Sequence, residues 1–109
     1  MIWNEKCETM DREDLAQVQI ERLQSTLNRA RRNVAFYRLA FERAGVRVED
    51  VRALADLAHL PFTTRADLRA AYPYDMFAVP LRDIVRIHST SGTTGKAIVV
   101  GYTRNDIKM

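Results

Sequence analysis

Through the first half of the chain, apolar residues recur at alternating steps of three and four: Ile20, Leu23, Leu27, Ala30, Val34, Tyr37, Phe41 and Ala44. Arg22, Arg29, Arg31, Arg32, Arg38 and Arg43 fall largely off that stripe, so the pattern predicts helix with one face laid on a core. The spacing is also heptad-like, which admits a second reading: a seam pairing the helices of two chains as a homodimer. The stripe is short and includes alanine and aromatic residues, which favours the first reading. Asp11 is placed to cap the start, with Glu13 and Asp14 adding negative charge to the first turn. Gly45 is placed to end the segment in a left-handed cap. Residues 1–10 read as an irregular lead-in, with Trp3 packing on a neighbouring surface.

Glu49 to Leu57 predicts a further short helix, stopped before Pro61. His59 sits near its end as a structural or surface residue. Thr64-Arg65-Ala66-Asp67 is a capping-box start, with Asp67 where glutamate is usual, and Leu68 to Tyr72 complete a brief helix that Pro73 ends. Tyr74 to Pro80 reads as a loop with aromatic anchors. The period then changes. Ile84, Val85 and Ile87 are β-branched, as are Ile98, Val99 and Val100, and both runs predict strands. Thr103-Arg104-Asn105-Asp106 repeats the chemistry of a helix start.

The fold class predicted is therefore mainly α with a C-terminal β-hairpin (α+β). Residues 1–83 form a helical region, and residues 84–109 carry the hairpin and the start of a helix. A two-stranded hairpin is marginal by itself in water. The pattern thus predicts a single incomplete domain, a piece of something larger, with the hairpin frayed, swapped or propped by another copy.

Composition narrows the class. At 109 residues, 47% hydrophobic and 28% charged, the chain reads as ordinary globular material. The formal net charge of +3 is carried mostly by arginines interleaved with acids. No lysine run or aromatic-basic alternation marks a nucleic-acid partner. A single cysteine, Cys7, cannot form an internal disulfide, and no Cys/His cluster has metal spacing. No apolar run long enough for a membrane span or a signal peptide is present, so the expected location is the cytoplasm.

The chemistry concentrates between the two strands, in Thr90-Ser91-Gly92-Thr93-Thr94-Gly95-Lys96. Hydroxyls at Thr90, Ser91, Thr93 and Thr94, two glycines free to take positive φ, and the Lys96 ammonium suit an anionic oxygen cluster such as a polyphosphate. The NTPase P-loop does not fit. Only two residues separate Gly92 from Gly95, Ala97 rather than a hydroxyl residue follows Lys96, and a strand rather than a helix follows the loop. The dinucleotide fingerprint fails as well. An uncommitted Ser/Thr/Gly linker is the bland alternative, and the full ordered string is more specific than that.

That string resembles the phosphate-binding loop of the adenylate-forming acyl-CoA synthetase superfamily. Trp3-Asn4, Glu8-Thr9-Met10, Phe36-Tyr37-Arg38, Leu60-Pro61-Phe62-Thr63-Thr64, Arg86-Ile87-His88, and Gly101-Tyr102-Thr103 with Asp106 narrow the resemblance to the N-terminal portion of the phenylacetate–CoA ligase family. It covers essentially the whole chain. Two positions depart from the pattern: Ala97 replaces a proline after the loop lysine, and Ala35 stands where relatives often carry proline. The resemblance implies a break near Asn33, whereas periodicity alone runs the helix on to Ala44. With that break, helices are expected over 11–32, 35–44, 49–56 and 65–71.

The resemblance further implies a ligase of phenylacetate catabolism. Carboxylate and Mg-ATP would give an acyl-adenylate and pyrophosphate; the thiol of coenzyme A would then displace AMP. ATP, Mg2+, coenzyme A and a small aryl acid are the implied ligands. Thr90, Ser91, Gly92, Thr93, Thr94, Gly95 and Lys96 would bind the nucleotide, with Lys96 the implied catalytic residue. Adenine, magnesium and coenzyme A contacts would lie further along the parent chain, so these 109 residues alone are expected to be inactive. The competing class is a non-catalytic helical dimerisation module.

Overall fold

A computed structural model describes residues 4–90 and 97–108. Trp3, and Ser91 to Lys96 of the loop, lie outside the described residues. The chain opens with a short helix, α1 (Glu5–Glu8), where the sequence pattern predicts an irregular lead-in. The physical reason is a reciprocal cap: the Cys7 amide donates to Asn4 Oδ1 at 3.2 Å, and the Asn4 amide donates to Glu8 Oε2 at 2.7 Å.

Helix α2 (Arg12–Asn33) follows, and then α3 (Ala35–Ala44). Asp11 holds the N-cap position of α2, yet its side chain makes no capping hydrogen bond. The break between the two helices falls at Val34, which is extended (φ −121°, ψ 108°). No proline makes it. Instead the Arg38 guanidinium reaches back to the last turn of α2, donating from Nε to the Arg31 carbonyl at 3.2 Å and from Nη2 to the Arg32 carbonyl at 3.0 Å. A cation at that end suits both the exposed carbonyls and the helix dipole. Val34 itself is only 1% exposed, so the bend turns an apolar side chain into the interior.

At the far end of α3, Gly45 takes φ +68°. Its amide donates to the Glu42 carbonyl at 3.1 Å, and the Val46 amide donates to the Phe41 carbonyl at 3.0 Å. Those two bonds make the expected left-handed stop.

The helix predicted over 49–56 is replaced by two 3-10 turns, Val48–Asp50 and Leu54–His59. The Asp56 Oδ2 opposes a continuous helix, because it draws the amides of Arg52 (2.9 Å) and Ala53 (3.0 Å) onto itself. Leu27, Phe41, Val48 and Val51 form the core, with Ile20, Leu23, Tyr37, Val46 and Leu60 packed around it. Leu27 and Phe41 of the heptad-like stripe are therefore buried in the chain's own core, with Ile20, Leu23 and Tyr37 against it. Gln24 Nε2 adds a bond to the Val51 carbonyl at 2.8 Å, and the Tyr37 hydroxyl meets Thr63 Oγ1 at 3.1 Å.

Helix α4 (Arg65–Ala70) begins with the predicted capping box. Thr64 and Asp67 exchange bonds of 2.9 and 3.1 Å between each amide and the other's side chain. The segment after it is tied to the end of α2, where Asn33 Nδ2 donates to the Ala78 carbonyl at 2.8 Å. A 3-10 turn, Leu81–Asp83, then leads into β1 (Ile84–Ser89), which pairs antiparallel with β2 (Val99–Thr103). Helix α5 (Arg104–Lys108) follows directly.

Candidate phosphate-loop site

The hairpin register pairs Ile84 with Thr103, Arg86 with Tyr102, Ile87 with Gly101, His88 with Val100 and Ser89 with Val99, with an irregularity between Ile84 and Arg86. Cross-strand partners share a face. Arg86, His88, Val100 and Tyr102 therefore lie on one side, where the His88 and Tyr102 rings meet edge to face at 5.1 Å. The irregularity at Val85 resets the alternation, so Ile84 lies with Gly101 on the other side.

That other side is held against the helical region. A Cβ at Gly101 would stand 2.7 Å from Cε2 and Cζ of Phe77 and 3.1 Å from Cδ1 of Ile84. Only a residue without a side chain lets the ring lie so close. The hairpin is thus propped by its own chain. A cleft of about 590 Å3 runs along this contact, lined by Arg29, Phe77, Ile84, Val99, Gly101 and Asp106 among others. The sequence signal for the Gly101 contact was a glycine inside a β-branched strand, which marks a close approach but not its partner.

At the end of the hairpin away from the loop, Thr103 and Asp106 form the predicted cap. The Thr103 amide donates to Asp106 Oδ2 at 2.9 Å, and the Asp106 amide donates to Thr103 Oγ1 at 3.2 Å. The Thr103 amide and hydroxyl, with a smaller contribution from the Arg29 charge, hold the Asp106 carboxyl below its usual range.

At the loop end, Thr90 sits one residue beyond β1 and faces Ile98. Its amide donates to the Ile98 carbonyl at 3.0 Å, and the Ile98 amide donates to Thr90 Oγ1 at 2.9 Å. The predicted binding residues Ser91, Gly92, Thr93, Thr94, Gly95 and Lys96 lie outside the described residues, so of the set only Thr90 is placed. A hydroxyl that accepts one bond retains its own proton to donate. The neck of the loop is therefore fixed while Thr90 keeps a donor for an anion. Among the described residues, no group of three His, Cys, Asp or Glu side chains is arranged to hold a metal ion. Likewise, no helix among them is long and apolar enough to cross a membrane.

No family model matches the chain. Solved structures do. A 2-hydroxyisobutyryl-CoA ligase in complex with 2-HIB-AMP and CoA, in the thioesterification state, superposes with a TM-score of 0.85 at 34% identity, over 95% of this chain and 23% of that one. The same ligase in a postadenylation state with R3-HIB-AMP gives 0.82 at 30% identity, over 95% and 22%. The helices and hairpin are thus a portion of the fold of adenylate-forming CoA ligases. Curated relatives carry the assignment further. The phenylacetate-coenzyme A ligase of Escherichia coli (strain K12) is 52% identical over 98% of this chain, and that of Thermus thermophilus is 45% identical over 100% of it. Over nearly its whole length the chain is thus similar to a part of phenylacetate-coenzyme A ligases. It spans about a quarter of the length of these relatives, 25% and 24% respectively.

Proposed function

We propose that the chain is the N-terminal portion of an AMP-forming aryl-acid–CoA ligase, with phenylacetate as the acid. The observation that carries this reading is the whole-length match to phenylacetate-coenzyme A ligases, at 52% identity for the Escherichia coli relative. Neighbouring solved ligases with acyl-AMP and CoA support the use of ATP and coenzyme A. The parent reaction joins the acid to AMP with release of pyrophosphate, and the CoA thiol then displaces AMP to give the thioester.

The hairpin's part in that scheme follows from charge. As the carboxylate attacks the α-phosphorus, negative charge builds on the departing pyrophosphate. Hydroxyls of Thr90, Ser91, Thr93 and Thr94, the amides of Gly92 and Gly95, and the Lys96 ammonium stabilise it. Magnesium, when bound with ATP, neutralises phosphate charge; none of the described residues is assigned to hold it. The chain by itself catalyses neither half-reaction, because it spans only a quarter of the ligase length.

The test is phenylacetate-dependent ATP–pyrophosphate exchange by this chain extended to the full length of its family. Exchange in the extended protein and none in the chain alone is expected. No exchange in the extended protein with any aryl acid would sink the reading.

A further inference from the structure

A regular antiparallel ladder would continue from the Ser89–Val99 pair to a Thr90–Ile98 pair in which each amide donates to the other's backbone carbonyl. Half of that rung is present: the Thr90 amide donates to the Ile98 carbonyl at 3.0 Å. The other half is replaced, because the Ile98 amide donates to the Thr90 side-chain oxygen at 2.9 Å. From this substitution we propose that Thr90 is a positioning residue, a latch that ends the ladder and fixes the separation of the two ends of the loop.

The latch rests on one oxygen with two uses. As acceptor it holds Ile98; as donor its proton stays available for an anion. A side chain without that oxygen leaves the Ile98 amide without its protein partner, and the residues between the two positions lose their fixed start and end. Serine preserves the oxygen, whereas valine preserves shape without it.

The role in catalysis rests on the proposed ligase function, but the latch can be read without it. Amide hydrogen exchange at Ile98 is measured by NMR on the chain without nucleotide, for the parent sequence, Thr90→Ser and Thr90→Val. Expected is a rise of about fivefold in Ile98 exchange for Thr90→Val, the scale of one net hydrogen bond, with Thr90→Ser close to the parent. Unchanged exchange in Thr90→Val, as ordinary backbone pairing would give, overturns the latch; so does an equal rise in Thr90→Ser.

A second arm uses the full-length ligase. Thr90→Val is expected to lower kcat for adenylation more than it raises KM for the acid, and Thr90→Ser to rescue it. Normal adenylation by Thr90→Val overturns the positioning role even where Ile98 exchange is fast. A full-length protein with no exchange activity at all would instead overturn the ligase reading and leave the Ile98 result standing.

Discussion

The Phe77 ring closes on the backbone of Gly101, so that a Cβ there would meet two ring carbons at 2.7 Å. The contact presses β2 to the helical region, through a segment that Asn33 also ties to α2 at Ala78. Gly101→Ala therefore forces the ring or the strand to move. We expect a loss of about 1–3 kcal/mol, the cost usual for overpacking. Chemical denaturation of the variant checks it, and Phe77→Leu in the same background should recover part of the loss.

Ala35 is the first residue of α3, and Val34 before it has φ −121° and ψ 108°. Proline is well tolerated at the first helical position, and the residue before it prefers this extended conformation. Ala35→Pro should be neutral or stabilising by about 0.4–1 kcal/mol. Ala40→Pro, inside α3, should cost about 3 kcal/mol or more. A melt in which both prolines are equally damaging would contradict the break at Val34.

Leu27 and Phe41 are 7% and 5% exposed, and both face the chain's own Val48 and Val51. Leu27→Ala should cost about 2–5 kcal/mol. If the stripe serves this intramolecular core, the melting temperature of either protein is independent of concentration. A melting temperature that climbs with concentration, alongside a dimer in light scattering, would favour the seam between two chains instead.

Asp56 accepts the amides of Arg52 and Ala53, and these bonds lower its carboxyl below the ordinary value of 3.8, with smaller help from the His59 and Arg52 charges. A depressed folded value means that the ionised form is bound more favourably in the native state. Its contribution is present above pH 3.8 and is lost as pH falls through the lower folded value. Carboxyl NMR titration should place Asp56 below an unfolded reference, and Asp56→Asn should flatten that part of the stability profile. A titration at the ordinary value would remove the argument.

Lys96 enters through the proposed function alone. In the full-length ligase, Lys96→Ala should slow adenylation by about 10²–10³, the usual loss for a transition-state donor, with little change in acid binding. Pre-steady-state adenylation rates decide it, and equal rates would exclude the assigned role.

Much of this was legible from the sequence because the signals are local. The three-four stripe, Gly45 with its positive φ, the Thr64–Asp67 and Thr103–Asp106 caps, and two β-branched runs each depend on residues within a turn or a strand of one another. The loop string could be set apart from other phosphate loops for the same reason, by its spacing, by Ala97 after Lys96 and by the strand that follows. The misses have non-local or reciprocal causes. Residues 49–56 carry helical spacing, yet Asp56 captures the amides that would continue the helix. The α1 turn came from a paired Asn4–Glu8 cap too short to leave a periodicity.

The sequence by itself determined the longer helices and the two strands, the apolar face and the resemblance to a family, because propensity, period and motif are properties of neighbouring residues. Tertiary structure alone decided that Leu27, Val34 and Phe41 of the stripe are buried within the chain and that Arg38 closes the end of α2 at the bend. It also decided that Phe77 seats the hairpin on Gly101 and that a side-chain oxygen of Thr90 closes the loop's neck. Each of those is a contact between residues distant along the chain or across a turn, and its geometry exists only once the backbone has folded to bring them together.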